Sequence, residues 1–462
     1  MFKGLTKEEK SWVLYDLAES PYTITILATI MGMYFLTSAE AAIGDETVAG
    51  AYWAFGNTIA TLSIGILAPI IGTLSGYKGK KKLIFNIFAC LGILATAGLA
   101  FVPEHLWLPL LIVYILSNIG FAGANKVYNS FLVDVSPKEK MNRVSTLGFG
   151  IGYLGCIPPF IVCVALVVLA QFDIIAMQVV TAYRISFLIT AVWWIIFGSP
   201  MFKNVQQKYG TEVEPQYVRK SFVKVWTTFR DICQYRKNDM EAPQYIKKDS
   251  VEGFARISSN ARKLLKDLKN RPILIFLIAF FLYSDGVSSI ISMATVYGLQ
   301  IGIDQVQLLL VLLVTQLVAG PCAIIYGRLA DRFGTKRIIY LGIGTYIVIC
   351  LIALLMNPER DILFLTILFW LLAMLVGTAQ GGIQALSRSY FSKIIPKEKS
   401  NEYFGFYNIF GRLASIIGTT LFGLVALWTG HPHLGIAVIA LLFILAAIIF
   451  KSVPDDREFS EE

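Results

Sequence analysis

The sequence predicts an all-α polytopic membrane protein whose twelve spanning helices form two pseudo-symmetric six-helix bundles. Three observations predict it. First, 56% of the 462 residues are hydrophobic and the mean hydropathy is +0.65, whereas soluble domains are roughly 45–50% apolar. Second, apolar runs of about 20 residues, long enough to cross a bilayer, recur along the whole chain, and the charged residues cluster between them. Third, Pro137-Lys138-Glu139-Lys140 returns 259 residues later as Pro396-Lys397-Glu398-Lys399, each copy followed at the same distance by an asparagine, Asn142 and Asn401. A repeat of just over half the chain means two related halves, and a duplicated membrane bundle places a pathway between them.

Spans are expected near 13–37, 50–75, 83–102, 107–133, 143–170 and 179–202, and again near 272–299, 305–329, 337–356, 362–391, 402–428 and 433–451. Helices suit such runs because a segment crossing lipid must satisfy its own backbone. The first run follows a polar N-terminus and outlasts the 7–15 apolar residues of a signal peptide, so it is expected to be a span, not a cleaved leader. Lysine and arginine set the orientation. Lys3, Lys7, Lys10, Lys78, Lys80, Lys81, Lys82, Lys138, Lys140, Arg143, Arg332, Lys336, Arg337, Lys393, Lys397 and Lys399 collect on one side. The opposite loops carry Glu40, Asp45, Glu46, Glu104, Asp173 and Asp304, with Arg360 their only basic residue. Both termini are therefore expected in the cytoplasm, and short termini with plain loops suit a bacterial plasma (inner) membrane, with a eukaryotic organelle the alternative.

A basic segment, 203–271, divides an N-terminal bundle, 1–202, from a C-terminal one, 272–462. Phe222, Val225, Trp226 and Phe229 recur in it at helical spacing, as do Phe254, Ile257, Leu264, Leu265 and Leu268. Two amphipathic helices lying on the inner membrane face are expected. One-sided basic loops account for the net charge of +9, so no nucleic-acid partner is expected. The six cysteines and three histidines lack metal-ligand or paired spacing. No GxxxxGK[ST] run marks nucleotide use, and the polar residues form no acid–base–nucleophile set. Neither an enzyme nor a cofactor is expected; a proton or sodium gradient is the remaining drive. The expected partners are a small-molecule substrate and the lipid bilayer, with the chain a monomer. A non-transporting receptor or scaffold signalling through 203–271 is the competing class.

The halves align further, Gly72 and Gly79 with Gly327 and Gly334, and Leu14-Tyr15-Asp16 with Leu282-Tyr283-Ser284-Asp285. The run Gly327-Arg328-Leu329-Ala330-Asp331-Arg332-Phe333-Gly334-Thr335-Lys336-Arg337 is similar to the signature loop of the major facilitator superfamily, which two six-helix halves joined by a long linker also resemble. In such a loop Gly327 lets helices approach closely, Gly334 permits a tight turn, Arg332 holds the loop inside, and Asp331 pairs with an arginine or caps a helix of the other half. Gly76 stands where the first half would carry that aspartate. Residues 12–22, 184–200, 281–287 and 384–407 further resemble the vacuole-effluxer family of that superfamily, the last stretch through Gln384-Ala385-Leu386-Ser387-Arg388-Ser389 and Phe404-Gly405-Phe406-Tyr407. The resemblance implies alternating-access transport of a small polar organic solute, amino-acid-like and exported; proton coupling is preferred because carboxylates are available. A carrier exporting drugs or lipid-like molecules is the alternative within the class.

Two charges depart from that family's pattern: Glu19, where it usually has asparagine, and Lys126, where it is usually apolar. An ionised group at the membrane centre costs about 2.5–3.5 kcal/mol on insertion scales and faces a partner or water. Counted from the inner helix ends, both lie roughly 9–11 Å deep, on helices that the resemblance places at the central cavity. A Glu19–Lys126 pair is therefore expected, either handling a charged substrate or proton, or fixed and structural, with Lys126 alternatively snorkelling. Asp16 and Tyr22 share helix 1 with Glu19, and Asn129 adjoins Lys126. Asp285, beside Gly286 and Ser288, either carries a proton or makes structural hydrogen bonds. Gln380 and Gln384 share a face of helix 10 and bind substrate or bridge helices. Arg388 gates the inner end, either snorkelling or pairing with Glu398 or Glu402. Arg412 is expected to hold an anion, either a substrate carboxylate or Asp285.

Overall fold

The computed structural model describes residues 2–212, 217–234, 271–300, 302–303, 305–356, 360–429 and 432–456. The first bundle comprises α1 (Lys7–Ile43), α2 (Glu46–Gly76), α3 (Lys80–Gly98), α4 (Trp107–Ser130), α5 (Lys138–Gln171) and α6 (Val179–Asn204). The second comprises α7 (Pro272–Gln300), α8 (Gln305–Phe333), α9 (Thr335–Leu354), α10 (Ile362–Ile394), α11 (Ser400–Thr429) and α12 (Pro432–Phe450). Among the described residues ten helices are long and apolar enough to cross a membrane, and α11 and α12 complete the second bundle. Large apolar side chains such as Ile66, Leu94 and Leu363 point outward and are exposed, as a lipid-facing surface requires.

Local chemistry explains the ends and breaks. α1 starts six residues before the expected span because Thr6 and Glu9 form a reciprocal capping box. Gly334, at φ +98°, ends α8. Pro21 in α1 cannot donate to the Leu17 carbonyl, and the Trp193 indole of α6 takes that acceptor at 3.1 Å. A π-helical turn, Thr23–Ala28, follows, and the Thr29 hydroxyl donates to the Ile24 carbonyl at 2.6 Å before the helix resumes as Ile30–Ile43. π-turns frequently mark functional sites. α5 is likewise two pieces, Met141–Gly155 and Ile157–Gln171, meeting at Cys156 ahead of Pro158 and Pro159. Trp12 and Tyr128 clamp α1 to α4: each side chain donates to the other's backbone carbonyl, at 3.1 and 3.0 Å, with the rings stacked.

The bundles meet on the basic face. Both Pro-Lys-Glu-Lys stretches form 3-10 turns, Lys138–Lys140 as the first turn of α5 and Lys397–Lys399 leading into α11. Behind them the Ser389 hydroxyl donates to Asn142 Oδ1 at 2.7 Å, and the Ser130 hydroxyl to Asn401 Oδ1. At the repeat offset Ser389 corresponds to Ser130 and Asn401 to Asn142, so one cross-bundle bond is made twice. Glycines allow the approach: a Cβ on Gly72 would lie 2.8 Å from the Asn401 carbonyl oxygen, and one on Gly327 2.1 Å from Thr146 Oγ1. A linker helix, Tyr217–Gln234, lies against α2 and α11. Thr228 donates to Glu402, Lys399 pairs with Asp231, and Phe229 meets Phe406. The second expected amphipathic helix, through Phe254 and Leu268, lies outside the described residues.

Each bundle also buries an ion pair on this face, with opposite polarity. In the first, Lys81 Nζ lies 2.5 Å from Asp134, whose other oxygen accepts from the backbone of Lys208 and Tyr209. In the second, Lys393 stands at the repeat position of Asp134. The acid comes instead from Asp456, 2.8 Å from Lys393 and hydrogen-bonded to the Thr335 backbone N–H and hydroxyl at the start of α9. Burial pushes the Asp456 carboxyl up, but Lys393 and Thr335 outweigh it and hold the group below its ordinary value. A depressed acid stabilises the fold above its unfolded pKa, near 3.9, and loses that contribution as pH falls through the folded value. Thermal unfolding in nanodiscs from pH 6 to pH 3 checks this: Asp456→Asn lowers the midpoint at pH 6, and the gap to the parent narrows toward pH 3.

Candidate functional site

The site is built around Arg388, which α10 carries six residues before its basic-face end. Only 3% exposed, the guanidinium must find partners inside the protein, and nearly all come from the first bundle. Nη2 donates to Asp16 Oδ2 at 3.0 Å and to the Ser145 carbonyl at 3.1 Å; Nε donates to the Ser145 hydroxyl at 2.9 Å; Nη1 donates to Asn129 Oδ1 at 3.0 Å. The rings of Trp12 and Phe149 lie 4.4 and 4.5 Å away, within cation–π range. The expected alternatives, snorkelling or pairing with Glu398 or Glu402, give way to this cross-bundle ion pair. The physical reason is the contact between α10 and α5, which covers the guanidinium, while the Glu402 carboxylate accepts from Thr228.

A chain of side-chain amides runs from Arg388 to Glu19. Asn129 Nδ2 donates to Asn125 Oδ1 at 2.9 Å, and Asn125 Nδ2 donates to Glu19 Oε1 at 2.5 Å. The other oxygen, Glu19 Oε2, is buried and has no hydrogen-bond partner among the described residues. The expected Glu19–Lys126 pairing needs correction, because the two are sent to different neighbours. Successive helical positions point about 100° apart: Asn125 takes the face toward α1, and Lys126 reaches the Ile64 carbonyl of α2 at 2.9 Å. Asn125 has no charge to draw attention in the sequence; its signal is its spacing of four from Asn129 on one face.

Above this floor a cavity of about 540 Å³ opens between the bundles, away from the basic face. Asp16, Glu19, Asn125, Asn129, Gln380, Gln384 and Arg388 supply its polar end, and the π-turn of α1 lines it through Thr23, Ile24 and Ala28. Gln380 and Tyr153 both line it. The remaining expected residues sit elsewhere. Tyr22 packs within the first bundle, stacked on Phe121 and accepting from Ser117. Asp285 ties α7 to α11, accepting from the Gly418 N–H at 3.0 Å and from Ser289, and it is absent from the described cavity lining. The Arg412 side chain lies outside the described residues. Of the gating residues, Asp331 accepts from Asn142 across the bundles at 3.2 Å, Arg332 lies over the ring of Phe333, and Gly327 packs on Thr146. The cross-bundle bonding of Asn142 and Asn401 is not evident from the sequence, although the repeat displays them.

A central cavity between two related six-helix bundles, sealed on one face by reciprocal bonds, defines a multi-pass membrane carrier. The chain belongs to the Major Facilitator Superfamily, whose family model matches residues 22–419 and 276–462, and it is a transporter, not an enzyme. It is 41% identical over 456 residues to the MFS-type transporter YxiO of Bacillus subtilis, covering 99% of this chain and 97% of that one. It is 23% identical to autophagy-related protein 22 of Eremothecium gossypii, covering 96% and 90%. Among solved structures it resembles the proton:xylose symporter XylE (TM-score 0.69, 13% identity, 97% and 96% covered). It also resembles a bacterial homologue of the iron transporter ferroportin in the outward-facing state (TM-score 0.64, 13% identity, 97% and 99% covered).

Removing one member of a buried ion pair costs about 3–5 kcal/mol because a charge is left uncompensated, whereas replacing both with neutral groups costs far less. Arg388→Met is therefore expected to lower the thermal midpoint strongly, and Asp16→Asn added to it to recover much of the loss. A double variant no more stable than Arg388→Met would show that the ion pair is not what holds the two bundles there.

Proposed function

We propose that the protein is a proton-coupled secondary transporter that exports a small polar, amino-acid-like solute by alternating access. The observation that carries this reading is the unpartnered Glu19 oxygen at the cavity, joined by two asparagines to the buried Arg388. One carboxylate and one guanidinium on a shared polar chain suit a zwitterion, whose ammonium would meet Glu19 and whose carboxylate would compete with Asp16 for Arg388. The resemblance to the vacuole effluxers supports the solute class. The positive-inside rule supports a cytoplasmic basic face, which makes this conformation outward-open.

In this scheme Glu19 exchanges its proton with the outer side through the open cavity. A solute arriving from the cytoplasm takes Arg388 while that face is open and Asp16 stands apart from it, and the Asp16–Arg388 pair re-forms as the face closes, freeing the solute to the outer side. The test is transport of radiolabelled amino acids in liposomes holding the purified protein, with and without an imposed pH gradient. Glu19→Gln is expected to abolish gradient-driven accumulation while solute-for-solute exchange continues. Full accumulation in that variant would overturn the role of Glu19, and no amino-acid flux in the parent would overturn the solute class.

A further inference from the structure

We infer that the site takes a single-chain amphiphile, a zwitterionic head at the floor with an apolar tail longer than any standard side chain lying in a recess of the second bundle. The inference rests on the head-binding reading above and extends it. The cavity is two-ended. Its charged lining residues, Asp16, Glu19 and Arg388, are all at the floor. Outward along α10, past Gln380, the lining changes to Val376, Ala373 and Phe369. From there the cavity runs between α7 and α8 into the second bundle, where Ile349 of α9 and Ile436 of α12 line it. The corresponding helices of the first bundle, α3 and α6, contribute no described lining residue, so the recess is a feature of one half only.

On the recess wall Tyr297 and Thr315 already bond within the protein, which leaves Gln316 as the other polar side chain among the described residues lining it. The Tyr297 hydroxyl donates to the Met356 carbonyl at 2.8 Å, and Thr315 to the Val311 carbonyl at 2.7 Å. Water entering it would find few partners, so hydrocarbon is the fitting occupant. Size argues the same way. Ala373 stands fifteen residues from Arg388 on one helix, roughly 22 Å, a distance a compact amino acid does not bridge. The cavity volume of about 540 Å³ falls in the range of sites for drug-sized ligands, roughly 300–1,000 Å³.

The experiment is calorimetric titration of the full chain in nanodiscs, corrected with empty nanodiscs, using L-alanine, L-norleucine, L-2-aminooctanoic acid and L-2-aminodecanoic acid. Affinity is expected to rise about fourfold per added methylene, continuing beyond norleucine. Ala373→Phe, which fills the recess, should end the rise at a shorter tail. Val376→Thr keeps the shape but makes the wall polar, so it should reduce the gain per methylene even where the bulkier variant fails to fold. Equal affinity across the series, or a rise that neither variant alters, would overturn the tail site while leaving the head-binding reading intact. Absence of binding by every member would overturn both.

Discussion

Burial of the Arg388 guanidinium constrains everything around it. A permanent cation that is 3% exposed persists only where its donors are satisfied, and here the partners come from the opposite bundle: Asp16, Asn129 and Ser145. The closed basic face and the satisfied arginine are therefore one condition. Asn129 is the repeat counterpart of Arg388, so the two meet near the pseudo-symmetry axis, where equivalent positions of the halves converge. Duplication alone would place like beside like there. The change to arginine in one half creates a charge that the other half must answer, and Asp16 answers it.

The same combination of symmetry and departure shapes the rest of the seal. Ser389–Asn142 and Ser130–Asn401 are one bond made twice. Asn142 then donates to Asp331, whereas Asn401, facing Gly76 at the equivalent place, donates to the Ser75 backbone carbonyl at 2.9 Å. A side-chain acceptor lost from the signature loop is replaced by a main-chain one, so both asparagines remain satisfied. Farther out Asp134 and Lys393 stand at equivalent positions with opposite charge, and each is answered by a partner from a different element, Lys81 of α3 and Asp456 beyond α12.

Much of this was legible in the sequence. Span number, the halves and the glycines at close approaches follow from hydropathy and repeat spacing, because the bilayer forces long helices and duplication preserves their offsets. Asp16, Glu19, Asn129, Gln380, Gln384 and Arg388 were identifiable as polar residues in apolar runs, and they do share one cavity. Pairings were less legible, because depth along a helix is readable but rotation about it is not. Glu19 and Lys126 lie at matching depth, yet one residue of rotation hands Glu19 to Asn125 and sends Lys126 to α2. Arg388 was expected near a helix end with a loop acid, since nothing in one sequence shows that α5 crosses over it. The apolar recess was illegible for a related reason: its residues look like ordinary core.

The bundles meet along α5 with α8 and along α2 with α11, helix pairs packed as closely as many within a bundle, with glycines at the nearest approaches and a set of side-chain bonds on the basic face. A net hydrogen bond contributes about 0.5–1.5 kcal/mol, so each of these bonds biases the equilibrium between a closed and an open face without fixing it. A ligand shifts such an equilibrium only by its differential affinity for the two states. Arg388 provides the means, because a solute carboxylate can replace Asp16 only when the face is open to admit it. The residue that closes the seal is thereby the one a zwitterionic solute would need to take over, which couples binding to opening without any further device.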